Sequence, residues 1–264
     1  MRWRLARLNW AYGLGELIIV VAGVLVALAV DDWRQSRVSV ATERYILDGI
    51  LTDLRRDRED IESSISAASA RAAAADKLLA DVGSAAAGKV QLTPWVSTPG
   101  QLDPQLAFER ARVKYPRNSL SVASALRMLT AVGSMQRVDV SSATFDEASA
   151  SGELETIRDT GLRAALGQYY YRAAKFGATT DQRVDNNWLH LRDVLATGGL
   201  SSGSLTSEEV ILRILDSDDV LIAEVTNARE LAANQIVYNT LVLESANDLT
   251  LFVERALQGR ALHE

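Results

Sequence analysis

Residues 10–33 read WAYGLGELIIVVAGVLVALAVDDW, and the reading of this run decides the fold. From Leu14 to Val30 the one ionisable side chain is Glu16, close to the start. Seventeen residues rise about 25 Å as a helix, and Trp10–Gly13 extend the run to the ~30 Å of a hydrocarbon core. Trp10 and Tyr12 before the run and Trp33 after it are placed like interfacial aromatic anchors. The expectation is a transmembrane anchor over residues 1–33. A cleavable signal peptide competes with it, because Arg2, Arg4 and Arg7 make a basic start and Ala27-Leu28-Ala29 fits a cleavage site. The apolar stretch is longer than a signal's hydrophobic region, and Trp33 supplies a second anchor, so the span is favoured.

A short basic N-terminus ahead of a large C-terminal domain favours a cytoplasmic N-terminus and an exported, periplasmic domain. Within the span, Glu16 is read as a headgroup-level carboxylate rather than an intramembrane relay. Gly23 and Ala27, with Gly15 nearby, are spaced for close packing against another helix. Trp10, Tyr12, Gly15, Glu16, Gly23, Ala27 and Trp33 are therefore the candidate lipid- or partner-contacting residues.

The rest of the composition narrows the function classes. The chain has 264 residues, a net charge of −6 and no basic stripe, which argues against nucleic acid. It has no cysteine, which excludes thiolate chemistry and disulfides, and its two histidines, His190 and His263, leave few routes to a metal or general-base site. No cofactor is expected. Four prolines and 6% aromatics in a chain rich in alanine favour helices over strands.

Tyr12-Gly13-Leu14-Gly15-Glu16, the apolar run and Ala27-Leu28-Ala29-Val30-Asp31-Asp32-Trp33 together resemble the N-terminus of an uncharacterised bacterial family of single-pass membrane proteins. YILDGILTDLRRDRED (45–60) and TFDEASASGELETIRDTGLRAALGQYY (144–170) resemble that family's later blocks. Gly replaces Ile in the lead-in and Asp replaces Asn at the exit. The resemblance implies a single-pass, largely helical protein of the bacterial inner membrane and carries no catalytic residue.

Beyond the span, apolar residues recur at Leu47, Ile50, Leu54, Ile61, Ile65, Ala68, Ala72 and Leu79, one stripe of a helix. The spacing predicts a stalk helix over 34–82, interrupted by charge at Asp57 and Arg58. The run Asp53–Asp60 reads as a solvated face with Arg56–Asp60 and Arg55–Glu59 pairs. Residues 83–102, with Pro94 and Pro99, read as a linker, and Trp95 is expected to tuck onto its own domain. A helical bundle domain is expected over 103–264, packing with the stalk, about six helices in all.

Within that domain Asp103 and Pro104 start a helix to about Tyr115, and another spans Ser119–Val132. A short helix follows over 142–150, and Asp159 caps a long one from Thr160 to about Ala196. Thr206-Ser207-Glu208-Glu209 is a capping box. In DSDD (216–219), Asp216 or Ser217 should cap the last helix, which Gly259 should end. Tyr169, Tyr170 and Tyr171 cannot share a face, so at least one is core and another surface. His190 reads as a surface or interhelical residue.

These features predict an all-α, non-catalytic accessory or scaffold subunit that links partners in a membrane complex. The expected partners are the bilayer and other integral membrane proteins, and homo-oligomers are allowed. The alternative is a single-pass sensor whose stripe self-associates and whose helical domain binds a ligand.

Overall fold

The computed structural model describes residues 10–92, 103–114, 129, 132, 138–200 and 208–261. All the regular structure among them is helical: six α-helices and one 3-10 turn. The first, α1 (Trp10–Asp81), is a single helix of 72 residues, about 108 Å long at 1.5 Å per residue. Nothing interrupts it, since the sequence from Val38 to Val82 holds no proline and only Gly49. The expected anchor and stalk are thus one rod. Gly83, at a φ of 66°, turns the chain off its end while the Ser84 amide donates to the Leu79 carbonyl.

Then come α2 (Pro104–Lys114), α3 (Ala143–Ala150), the 3-10 turn Glu153–Thr156, α4 (Thr160–Thr197), α5 (Glu208–Ser217) and α6 (Asp219–Ala261). Local chemistry sets these starts. The Asp103 carboxylate accepts from the Gln105 amide at 2.9 Å, and Asp159 accepts from Gly161 and Leu162 at 2.8 and 3.0 Å. For α6 the cap is Asp218, accepting from Val220 and Leu221, one or two residues beyond the expected Ser217 or Asp216. Glycine at 259 does not stop α6, which continues to Ala261. Trp95 and Thr206, and nearly all of 119–132, lie outside the described residues. Leu129 and Val132 alone of that stretch are described, both helical and buried.

The largest interface is between α1 and α6. Arg55 with Glu254, Ser64 with Asn239, Arg71 with Gln235 and Asp76 with Arg229 pair rising numbers on α1 with falling ones on α6, so the two run antiparallel. The predicted stripe of α1 fills this interface. Leu47, Ile50 and Leu54 meet Leu162, Leu166, Ala246, Leu249 and Val253, and Ile61, Ile65 and Ala68 meet Ala232, Ala233 and Ile236. Leu78 and Leu79 close the far end with Leu215, Leu221 and Val225. Each such fully buried leucine or isoleucine stabilises the bundle by roughly 1.5–3 kcal/mol. From Glu43 onward α1 is the central helix of the bundle.

Among the described residues no helix is long and apolar enough to cross a membrane. The side chains of residues 10–15 and 18 lie outside the description. The unbroken apolar run that remains, 19–30, is 12 residues or about 18 Å, short of a ~30 Å core. A transmembrane anchor over 1–33 is accordingly not supported by the described residues.

Candidate functional site

The surface that sets this molecule apart is the free end of α1. Leu17, Ile19, Val20, Val21, Val24, Leu25, Val26, Leu28 and Val30 are all exposed, from 47% at Val21 to 74% at Ile19. Successive helical residues turn by about 100°, so these nine cover every side of the rod. Among the described residues no element packs on them, and the first fully buried one on α1 is Glu43. Soluble monomers rarely expose contiguous apolar patches above a few hundred Å². This sleeve is such a patch, wrapped around a helix.

The sequence-derived contact residues all lie on α1. Trp10, Tyr12 and Gly15 lie on α1 with their side chains outside the described residues. Glu16, Ala27 and Trp33 are exposed, and a Cβ added at Gly23 would meet nothing within 4 Å. Trp33 carries the Arg37 guanidinium over its ring at 4.3 Å, where a cation and an aromatic face attract. Gly23 and Ala27 touch no other helix among the described residues.

A second arrangement lies inside the bundle, where sequence reasoning expected a solvated face. Asp57 is fully buried. Its carboxylate accepts from the Ser141 amide at 2.7 Å and the Tyr169 hydroxyl at 2.8 Å. One turn earlier, Asp53 accepts from the Ser141 hydroxyl at 3.1 Å and the Thr144 amide at 3.3 Å. The two acids clip the segment leading into α3 onto α1, and Arg55 reaches Glu254 of α6 at 3.8 Å instead of Glu59. Burial pushes the Asp57 carboxyl up to about 6, helped by Asp53 and Asp60, against the two hydrogen bonds that favour its charge. Burial, then the Asp57 charge, lifts the Tyr169 phenol well above its ordinary range. Tyr170 packs edge-on to Tyr169 and stacks on Phe145 at 4.6 Å, while Tyr171 is exposed.

The signal for Asp57 is in the sequence. It falls three after Leu54 and four before Ile61, in register with the apolar stripe. An acid there is either a break in the helix face or a buried, satisfied carboxylate, and Tyr169 and Ser141 make it the second.

Two other polar groups serve packing. Arg229, 1% exposed, donates to Asp76 at 3.1 Å and to the carbonyls of Ala86 and Lys89 at 2.6 and 2.5 Å. The same Asp76 oxygen accepts the Gly88 amide, so the turn after α1 is pinned from α6. His190 is on the surface of α4, 3.3 Å from Glu224 of α6, as an interhelical polar contact. Among the described residues no group of three or more His, Cys, Asp or Glu is arranged to hold a metal.

No family model, curated protein or solved structure matches this chain. The functional reading accordingly rests on the geometry above.

Proposed function

We propose that this chain is a non-catalytic, membrane-anchored accessory or scaffold subunit of the bacterial inner membrane, with a cytoplasmic N-terminus and a periplasmic bundle. The observation that carries the reading is the sleeve, an all-round apolar helix with no partner among the described residues of its own chain. An α-helix apolar on every side belongs either in a protein core or in lipid, and the bundle leaves this one out. Nine branched or leucine side chains, at about −0.3 to −0.6 kcal/mol each, favour insertion by about 3–5 kcal/mol, with Glu16, Asp31 and Asp32 at the two ends. Trp10, Tyr12 and Trp33 would mark the interfaces, and Gly15, Gly23 and Ala27 would admit a neighbouring helix. Membership of the single-pass family it resembles is part of the same proposal.

A scaffold role, rather than a reaction, is supported by what the buried polar groups do. Asp53, Asp57 and Arg229 each fasten one segment to another. The partners proposed are the bilayer and other integral membrane subunits, with copies of this chain allowed among them. The stripe that motivates a self-associating sensor is occupied within the chain, since Ile61 and Ile65 are fully buried against α6.

Carbonate extraction of native membranes, followed by gel electrophoresis in a gentle detergent, tests the reading. The chain should stay with the membrane pellet and then migrate in a high-mass species containing defined other subunits. Release by carbonate would overturn the anchor. Retention as a lone monomer, unchanged by Gly23→Leu with Ala27→Leu, would overturn the scaffold.

A further inference from the structure

The rim where the sleeve meets the bundle carries its cations on one side. Trp33, Arg34, Ser36 and Arg37 on α1 are all exposed, and so is Arg158 in the turn before α4. The Arg37 guanidinium lies over the Trp33 ring at 4.3 Å, and from the bundle the Arg158 guanidinium reaches Ser36 Oγ at 3.5 Å. At about 100° per residue, Ser36, Trp33, Arg37 and Arg34 follow one another across one side of the helix, while Asp31 and Asp32 fall on the other. The next acid on α1 is Glu43, which is fully buried and accepts the Arg158 amide.

Among the described residues none of these three guanidinia meets a carboxylate. Arginines farther from the sleeve do, Arg55 with Glu254 at 3.8 Å and Arg110 with Glu244 at 4.0 Å. A guanidinium stacked on an aromatic ring keeps its edge N–H groups for an oxyanion, and their fork matches a phosphate. The turn that presents Arg158 is fixed, because its amide bonds Glu43 at 2.9 Å and Arg163 donates to the Glu155 and Ile157 carbonyls.

We propose that Arg37 and Arg158, with Arg34 beside them, bind the phosphate of an anionic phospholipid in the leaflet around Trp33. The site rests on the anchor reading. Its level selects a lipid over free phosphate. Arg37 is about one helical turn, or 6 Å, outside Trp33, and the sleeve that would meet the acyl chains ends at Val30, three residues inside it. The Ser36 hydroxyl adds a neutral donor beside Arg158.

The test reconstitutes the full chain in phosphatidylcholine vesicles with a trace of spin-labelled phosphatidylglycerol or spin-labelled phosphatidylcholine. Electron paramagnetic resonance then reads the lipid that the protein immobilises. Each arginine at a membrane surface is worth about fivefold toward an anionic lipid, so phosphatidylglycerol should be preferred at least about twofold, averaged over the lipid shell. Arg37→Gln with Arg158→Gln should lower the preference by about half or more and leave the phosphatidylcholine signal unchanged. Were that pair to misfold, Arg37→Gln alone should still lower it. Arg192→Gln removes a guanidinium that likewise lies over a tryptophan, Trp188, far along α4, and should change nothing. Inorganic phosphate added at fixed ionic strength should leave the preference intact. Equal immobilisation of the two lipids, an unchanged preference in the arginine variants, or its loss on adding phosphate would overturn the lipid site while the anchor stands. No immobilised lipid of either kind would overturn the anchor and the site with it.

Discussion

Replacing Asp57 by asparagine should make the bundle less sensitive to pH. Asp57 is fully buried between α1, α4 and the Ser141 segment, and its carboxyl is raised from 3.8 to about 6, chiefly by burial. A raised carboxyl binds its proton more tightly in the folded state than in the unfolded one. Its contribution to stability is therefore complete below about pH 4 and is lost as the pH rises through 6. At about 1.4 kcal/mol per pH unit, the loss amounts to about 3 kcal/mol between pH 4 and 7. Asparagine keeps the shape, can still accept the Ser141 amide, and has no proton to lose. Urea unfolding of the full chain in detergent micelles, followed by far-UV circular dichroism from pH 4 to 8, reads the difference. The gap between Asp57→Asn and wild type should move by about 3 kcal/mol in the mutant's favour across that range. Parallel stability curves would refute the reasoning. Tyr169→Phe supplies the internal control. The Tyr169 hydroxyl holds the carboxyl down, so removing it should shift the Asp57 titration upward, visible in carboxyl carbon NMR.

Arg229→Met should cost about 3–5 kcal/mol, since it removes the guanidinium that Asp76 and two carbonyls now bond. Hydrogen exchange at Gly88 should accelerate more than exchange in the middle of α6. A Cβ at Gly49 would meet Thr144 Cγ2 at 2.8 Å, so Gly49→Ala should destabilise by about 1–3 kcal/mol. In a Thr144→Ala background the sign should reverse, to a gain of about 0.5–1 kcal/mol from helix propensity, because the Thr144 amide bonded to Asp53 is untouched. Equal effects in both backgrounds would rule out the steric cause. Ile61→Ala should cost about 2–5 kcal/mol with an unfolding midpoint independent of protein concentration. A concentration-dependent midpoint would instead place Ile61 between two copies.

Helix positions were legible wherever a local rule decides them. Asp159 and Asp103 cap from within three residues, and the stripe from Leu47 to Leu79 predicts the buried face of α1 because a straight helix imposes its own period. What the sequence hid are partners that arrive from a distance. Asp57 looked like one charge in a mixed run, since pairs at i,i+4 are the cheap explanation of alternating signs. Its true partners, Ser141 and Tyr169, lie more than 80 residues away. Arg229 was equally silent, because two of its acceptors are main-chain carbonyls, which no side-chain pattern encodes. The cap of α6 falls one or two residues later than expected because DSDD offers four adjacent acceptors, and only the backbone path selects Asp218. The sleeve's composition was plain in the sequence, whereas its isolation from the bundle required the fold.

That isolation also fixes how the two halves of the molecule relate. Trp33 and Glu43 are ten helical residues apart, about 15 Å, and the helix between them is unbroken. The bundle already reaches into this interval, because the Arg158 amide donates to Glu43 at 2.9 Å and the Arg158 guanidinium approaches Ser36 at 3.5 Å. On the other flank α6 runs seven residues past Glu254, about 10 Å beyond the level of Arg55, to about the level of Asp48. A bilayer around the sleeve, with its surface at Trp33, would then have the base of the bundle standing almost on it. A helix that both carries the sleeve and is the central core member cannot act as a loose tether. A partner gripping the sleeve would meet the turn that leads into α4, and any tilt of the sleeve would be carried into the bundle by α1 itself.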